Sequence, residues 1–481
     1  MKLRREILSL AGPSILANIT VPLVGMVDIA VAGHLSSEGL ASAALIGGIA
    51  VGTMLFDLLY WNFAFLRAGT AGITAQAFGR TKGQDPDGAL SGILERALRI
   101  ALLSGLALIA LQWVVVWLAF LVVDCTPEVR ELATRYFYIR IWAAPATLSL
   151  FALKGWFIGL QDTVRPMLAD LIVNGTNIVL SVALALGIPG LFQGMGFTGI
   201  ALGTVVAQFA GALYCLLAAR RRYAFHLPRN LLSPNHLLIF HPVRGADEVF
   251  IRDEVSMAYG AANWNLVLRS AGMIAVYIGF TLISARYGDM VLAVSAILMK
   301  LLMFFSYFTD GFAYAGEALT GRFIGERSRE GVHATIRGCF AWSAAVAGVF
   351  LLLYGLGGTG LLQLMTSDPS VVQEGRQFLP WLLLMPLVGC PAFVWDGIFI
   401  GAMETRDLRN ATLLCAVGFF AAWLLGWWLF GGHGIVPETA LHVLMGAYFV
   451  HLAVRTGYLT IGSKKILRFN GEGTSSRSPE E

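Results

Sequence analysis

Apolar stretches of about twenty residues recur along almost the whole chain, separated by short polar connections. Roughly 20 mostly apolar residues are what a helix needs to cross the hydrocarbon core of a bilayer, and a helix satisfies its own backbone hydrogen bonds within one segment. The pattern predicts twelve spans, over residues 10–34, 44–70, 94–122, 132–159, 164–188, 197–219, 263–285, 290–320, 336–358, 376–402, 409–430 and 438–462. The expected fold is an all-α integral membrane protein whose twelve transmembrane helices form two six-helix bundles. The first stretch runs past Val31 with an acid inside it and lacks the short apolar core and small-residue cleavage site of a signal peptide, so it is expected to be retained.

Composition agrees with this. Hydrophobic residues make up 57% of the chain and charged ones 13%, and the mean hydropathy is +0.70, whereas a soluble domain is about half apolar and a quarter charged. The net charge of +4 does not signal nucleic acid, because the basic residues sit at helix ends, where they report topology. Alternate connections carry Lys2, Arg4 and Arg5, then Arg80, Lys82 and Arg96, Arg165, Arg220 to Arg222, Arg322, Arg327 and Arg329, Arg406 and Arg409, and Lys464, Lys465 and Arg468. The other connections hold little beyond Arg130, Arg286 and Arg376. Both termini are therefore expected on the cytoplasmic side of a bacterial inner membrane, with an even number of spans. Residues 1–222 and 256–468 are expected to be the two bundles, 223–255 a cytoplasmic linker, and 469–481 a disordered tail too polar to pack.

The halves echo each other. Phe157-Ile158-Gly159 at the end of the fourth span recurs as Phe399-Ile400-Gly401 at the end of the tenth, 242 residues on. Ala71-Gly72 and Gly79 near the end of the second span match Ala315-Gly316 and Gly325 near the end of the eighth, at offsets of 244 and 246. Similar offsets in spans of the same order point to a duplicated six-helix unit, with parallel repeats related by an axis along the membrane normal.

Five stretches carry a family resemblance: PLVGMVDIAVAGHL from Pro22, YWNFAFLRAGTAGITAQAFG from Tyr60, GWFIGLQDTVRPMLADLIVNGTNIVL from Gly155, DGFAYAGEALTGRFIG from Asp310 and DGIFIGAMETRDLRN from Asp396. In this order they resemble the multidrug and toxic compound extrusion family, in particular its DinF-like bacterial branch. The resemblance implies a twelve-helix antiporter exporting amphipathic, often cationic, compounds in exchange for protons or sodium. It also implies that Asp28 and Asn177 belong to a cation or proton site. Many members carry an acid four residues after that Asn; here the position is Ser181, one carboxylate fewer than a sodium site would use.

The residues point the same way. An ionisable group in hydrocarbon marks function by default. Asp28 shares a helical face with Asn18, Pro22 and Gly25, and Pro22 removes a backbone hydrogen bond where the helix could bend. Asp170, Asn174, Asn177 and Ser181 line one face of the fifth span, and Thr204 and Gln208 share one on the sixth. Asn donates and accepts, so it can hold either form of a neighbouring acid. Asp310, Glu317 and Asp396 fall toward the cytoplasmic ends of the eighth and tenth spans, and Lys154, 242 residues before Asp396, is its candidate partner in a salt bridge between the lobes. Arg269 is expected to snorkel or pair.

Other function classes lack their residues. The sequence shows no phosphate-binding loop, no HExxH and no paired metal-ligand spacing among its eight histidines, and its five cysteines are scattered. No cofactor, metal or enzymatic activity is expected, and the chain is expected to act as a monomer. The alternative within the same superfamily is a flippase for lipid-linked precursors, which would want a strongly cationic cavity.

Overall fold

A computed structural model describes residues 2–35, 42–83, 88–121, 123, 125–188, 190, 192–226, 249–366 and 368–468. The expected tail and most of the expected linker, residues 227–248, lie outside them. Apart from a two-residue antiparallel pairing of Gly187–Ile188 with Phe192–Gln193, the regular elements among the described residues are helices. The first span is Lys2–His34; the second is Ser42–Trp61 with Ala64–Arg80; the third is Ala89–Ala110 with Gln112–Ala119. Pro127–Arg140 and Ala144–Gly159 make the fourth, Val164–Leu186 the fifth and Phe197–Tyr223 the sixth. The C-terminal half follows with Val249–Ala285, Asp289–Gly325, Arg329–Met365, Leu379–Gly401 preceded by the short Pro369–Arg376, Thr405–Leu429 and Pro437–Gly462. Ten helical stretches are long and apolar enough to cross a membrane, and the third span, bent by 68° at its break, makes an eleventh. The twelfth path, Pro437–Gly462, carries His442, His451 and Arg455.

Several helices outrun their apolar windows: the second continues to Arg80, the eighth to Gly325, the ninth covers Arg329–Met365, and the seventh begins at Val249, ahead of the boundary expected at residue 256. Hydropathy reports the part of a helix that suits hydrocarbon, while its hydrogen bonding runs on into the interface, where water serves the free ends.

The repeat extends to atomic contacts. The fourth and tenth spans cover Pro127–Gly159 and Pro369–Gly401, each residue 242 from its counterpart. Their apolar windows are 78% and 67% buried, against 22% for the first, fifth and eleventh spans, so these two lie at the centre of their lobes. A Cβ at Gly155 would lie 2.2 Å from the carbonyl oxygen of Arg67, and one at Gly397 would lie 2.0 Å from that of Ala313. Gly159 meets Ala71 in the same way, and Gly401 meets Glu317. These pairs fix the offset between second and eighth spans at 246 throughout, so Ala71 corresponds to Glu317; the match of Ala71-Gly72 to Ala315-Gly316 is two residues out of register.

The lobes have separate cores, one including Phe56, Phe137 and Trp156, the other Phe305, Phe378 and Phe419. A third core, with Ile7, Ala71, Ile158, Phe312, Leu319 and Cys339, draws on both halves. Here the second and eighth spans cross reciprocally. A Cβ at Gly79 would lie 2.0 Å from the Arg322 carbonyl oxygen, and one at Gly325 would lie 2.1 Å from that of Gln76. Both glycines permit backbone contact that any side chain would forbid. Gln76 Nε2 donates to the Gly401 carbonyl at 3.1 Å, and Arg322 donates to Glu6 at 2.8 Å and Gln161 at 3.1 Å. The chain ends pack at this same end, Ile7 against Gly338 and the Leu467 carbonyl against Arg329. The lobes are thus sealed together at the end that carries both termini.

Candidate functional site

Two polar regions interrupt the apolar interior. The first lies in the N-terminal lobe. Asp28 is 5% exposed, and its Oδ1 has no hydrogen-bond partner among the described residues. Asn177, buried on the fifth span, donates Nδ2 to Thr204 Oγ1 of the sixth at 2.8 Å, leaving its Oδ1 without a partner. Ser181, one turn on, interacts with the Asp28 carboxylate and approaches the Ile200 carbonyl at 3.4 Å. Gly203 makes room for it, since a Cβ there would lie 2.9 Å from Ser181 Oγ. Asn174 Nδ2 donates to Thr20 Oγ1 of the first span at 2.7 Å, tying these helices together. The pocket so formed is buried and holds acceptor oxygens with nothing to accept from, the condition for taking up a proton or a small cation.

Three of the residues expected here lie elsewhere in the network. Asp170 forms an ion pair with Lys154 of the fourth span. That pairing also removes the expected bridge between Lys154 and Asp396, because Lys154 is neutralised within its own lobe. Asn18 turns to the other half and donates to the Tyr307 carbonyl of the eighth span at 3.2 Å. Gln208 is half-buried, one turn beyond Thr204. Pro22 and Gly25 are exposed and lie within an unbroken helix.

The second region is a cavity of about 370 Å³ between the lobes. Three arginines and three acids line it: Arg67 from the second span, Arg269 from the seventh, Arg455 from the twelfth, Asp310 and Glu317 from the eighth and Asp396 from the tenth. Arg67 Nη1 donates to Glu317 Oε2 at 3.2 Å across the lobes, and its guanidinium lies 4.5 Å from the Tyr314 ring centroid. Arg269 Nη2 donates to Asp396 Oδ2 at 2.6 Å, and Arg455 Nε to Asp396 Oδ1 at 3.1 Å. Glu317 and Asp396 are thus buried and ion-paired among the helices. Met273, Met303, Met385, Phe393, Tyr277 and Tyr448 complete the walls.

Sequence reasoning did not single out Arg67, Arg455, His451, Asp57 or Arg140. Arg140 interacts electrostatically with Asp28 and Asp57, donates to Tyr136 at 3.2 Å and lies 4.8 Å from the centroid of Phe56. A signal was present, since each sits inside a helical span and ionisable side chains in hydrocarbon are rare. Among the described residues, no group of three or more His, Cys, Asp or Glu is placed to hold a metal ion.

Comparison with known proteins gives a consistent result. The family model described as MatE matches residues 13–183 and 266–422. The chain is 35% identical over 426 residues to the DNA damage-inducible protein F of Escherichia coli (strain K12), covering 89% of this chain and 86% of that protein. It is 24% identical over 438 residues to a probable multidrug resistance protein NorM of Photorhabdus laumondii, covering 88% and 86%. Of solved structures, a MATE protein in the bent conformation matches with a TM-score of 0.78 at 17% identity, over 97% of this chain and 96% of that one. An outward-facing multidrug resistance MATE family transporter matches with a TM-score of 0.74 at 18% identity, over 96% of each chain.

Proposed function

The chain belongs to the MatE family of membrane transporters, and from that premise we propose that it is a secondary efflux antiporter, exporting amphipathic and cationic compounds in exchange for protons. The observation that carries this reading is Asp28, a buried carboxyl group whose Oδ1 has no hydrogen-bond partner among the described residues, held beside Ser181 of the fifth span. A proton neutralises such a group outright. Sodium would need several more oxygens, and Ser181 supplies a hydroxyl where a second carboxylate would serve better.

Alternating access follows from the two lobes. With both termini in the cytoplasm of a bacterial cell, the end sealed by Gly79 and Gly325 is the cytoplasmic gate, and cargo is released on the opposite side. The cavity of about 370 Å³ falls in the size range of sites for small molecules, and its Met and aromatic walls suit an amphipathic body. A proton taken up at Asp28 alters the first span's hold on the fifth and sixth; Pro22 gives that span a place to bend. Since a ligand shifts an equilibrium only by its differential affinity for the two states, proton and cargo must favour opposite ones. A flippase for lipid-linked anions is a poorer fit, because the cavity matches its three arginines with three acids.

The test is efflux of a fluorescent cationic dye from proteoliposomes of the purified protein. A proton gradient alone should drive it and a sodium gradient alone should not; the reverse outcome rules out proton coupling.

A further inference from the structure

Taking charges out of water is expensive, and a buried ion pair recovers the loss only when its geometry is close and further hydrogen bonds complete it. Six charged groups line the interlobe cavity, and their arrangement is uneven. Arg67 and Glu317 pair one to one. On the seventh, tenth and twelfth spans, two guanidiniums share the single carboxylate of Asp396. On the eighth span, Asp310 is half-buried against the cavity, interacts electrostatically with all three arginines, and forms no hydrogen bond or ion pair among the described residues.

The cavity is therefore neutral in total but dipolar in detail. It holds a surplus guanidinium at one place and an unmatched carboxylate at another. Spare hydrogen-bonding capacity lies alongside: Arg269 Nε and both ring nitrogens of His451, a residue only 4% exposed, have no hydrogen-bond partner among the described residues. Polar atoms enclosed in this way are costly unless something bonds them. A ligand with a single charge would leave the enclosure charged. One carrying both signs would satisfy both ends and leave it neutral.

We propose that this cavity is a binding site for zwitterionic amphiphiles, with the ligand's ammonium on Asp310, its carboxylate on Arg269 and Arg455, and its apolar body against Tyr277, Tyr448 and Met385. The proposal rests on the export reading for transport and makes its amphipathic cargo net neutral at this cavity rather than cationic, whereas binding alone can be measured without that reading.

Three probes with one fluorescent body provide the test: Nε-dansyl-lysine as the zwitterion, its methyl ester as the cation and its Nα-acetyl derivative as the anion, each titrated into purified protein at mildly acidic pH. The zwitterion should bind about tenfold or more tightly than either of the others, the worth of one charge-assisted hydrogen bond. Asp310→Asn should reduce the zwitterion to the affinity of the anion. Arg269→Gln should reduce it to that of the ester, and Arg455 still pairs with Asp396 in that variant, so the fold is kept. Equal binding of zwitterion and ester to the unaltered protein would overturn the proposal while leaving cation export standing. Absence of saturable binding by all three, or variants that do not change the ranking, would overturn it as well. Loss of proton-driven dye efflux with the probe ranking intact would count against the export reading alone.

Discussion

Single residues differ here in what they hold together, and stability measurements separate them. Asp396 neutralises both Arg269 and Arg455. Asp396→Asn would leave two guanidiniums facing each other in a buried cavity, and removing one member of a buried ion pair costs about 3–5 kcal/mol. Thermal unfolding in detergent should show a large fall in Tm for Asp396→Asn and a smaller one for Asp310→Asn, which loses its attraction to the three arginines but no hydrogen bond; equal losses would contradict the assigned pairing. Ser181 gives a second contrast. Ser181→Asp adds the carboxylate that a sodium ion would want beside Asp28, and this variant should gain a sodium-dependent rise in Tm that the unaltered protein lacks. Helical spacing made part of this region legible, since Asn177 and Ser181 share a face and Thr204 meets Asn177. It could not give the partners of Asn18, Asp170 or Lys154. Periodicity says which side chains share a face, and the neighbour that the face meets is set by tertiary packing.

Among the elements, the second and eighth spans carry the gate of the proposed transport cycle. Their reciprocal glycine contacts leave no room for a side chain: a Cβ at Gly79 would sit 2.0 Å from a backbone oxygen, and backbone cannot yield as a flexible side chain can. Gly79→Val should pry the lobes apart at the end that carries both termini. Cys339, fully buried in the core shared by the halves, reports this directly. In a protein whose other four cysteines are replaced, maleimide labelling of Cys339 should be slow and should quicken in Gly79→Val; unchanged labelling would place the gate elsewhere. The repeat behind this crossing was readable as recurring Phe-Ile-Gly and Gly positions. Its register in the second and eighth spans was not, because Ala and Gly are common enough there to match at 244 as well as at 246. Backbone contact through Gly155, Gly159, Gly397 and Gly401 decides it. Span ends were the least legible feature, since hydropathy locates hydrocarbon and helices continue past it.

At the scale of the whole molecule, twelve helical paths in two repeated lobes were evident from apolar run lengths and alternating loop charge. The cavity between the lobes was not, because its arginines come from the second, seventh and twelfth spans and only the fold brings them together. The coupling scheme requires the proton pocket around Asp28 and the interlobe cavity to act through lobe movement. An acid lost from the pocket should therefore remove the drive and leave cargo binding. Counterflow in proteoliposomes, compared with gradient-driven efflux for the unaltered protein and Asp28→Asn, measures both. The account predicts that Asp28→Asn inserts and exchanges dye across the membrane at zero gradient yet shows no acceleration when a proton gradient is imposed. Full gradient-driven efflux by Asp28→Asn would contradict it.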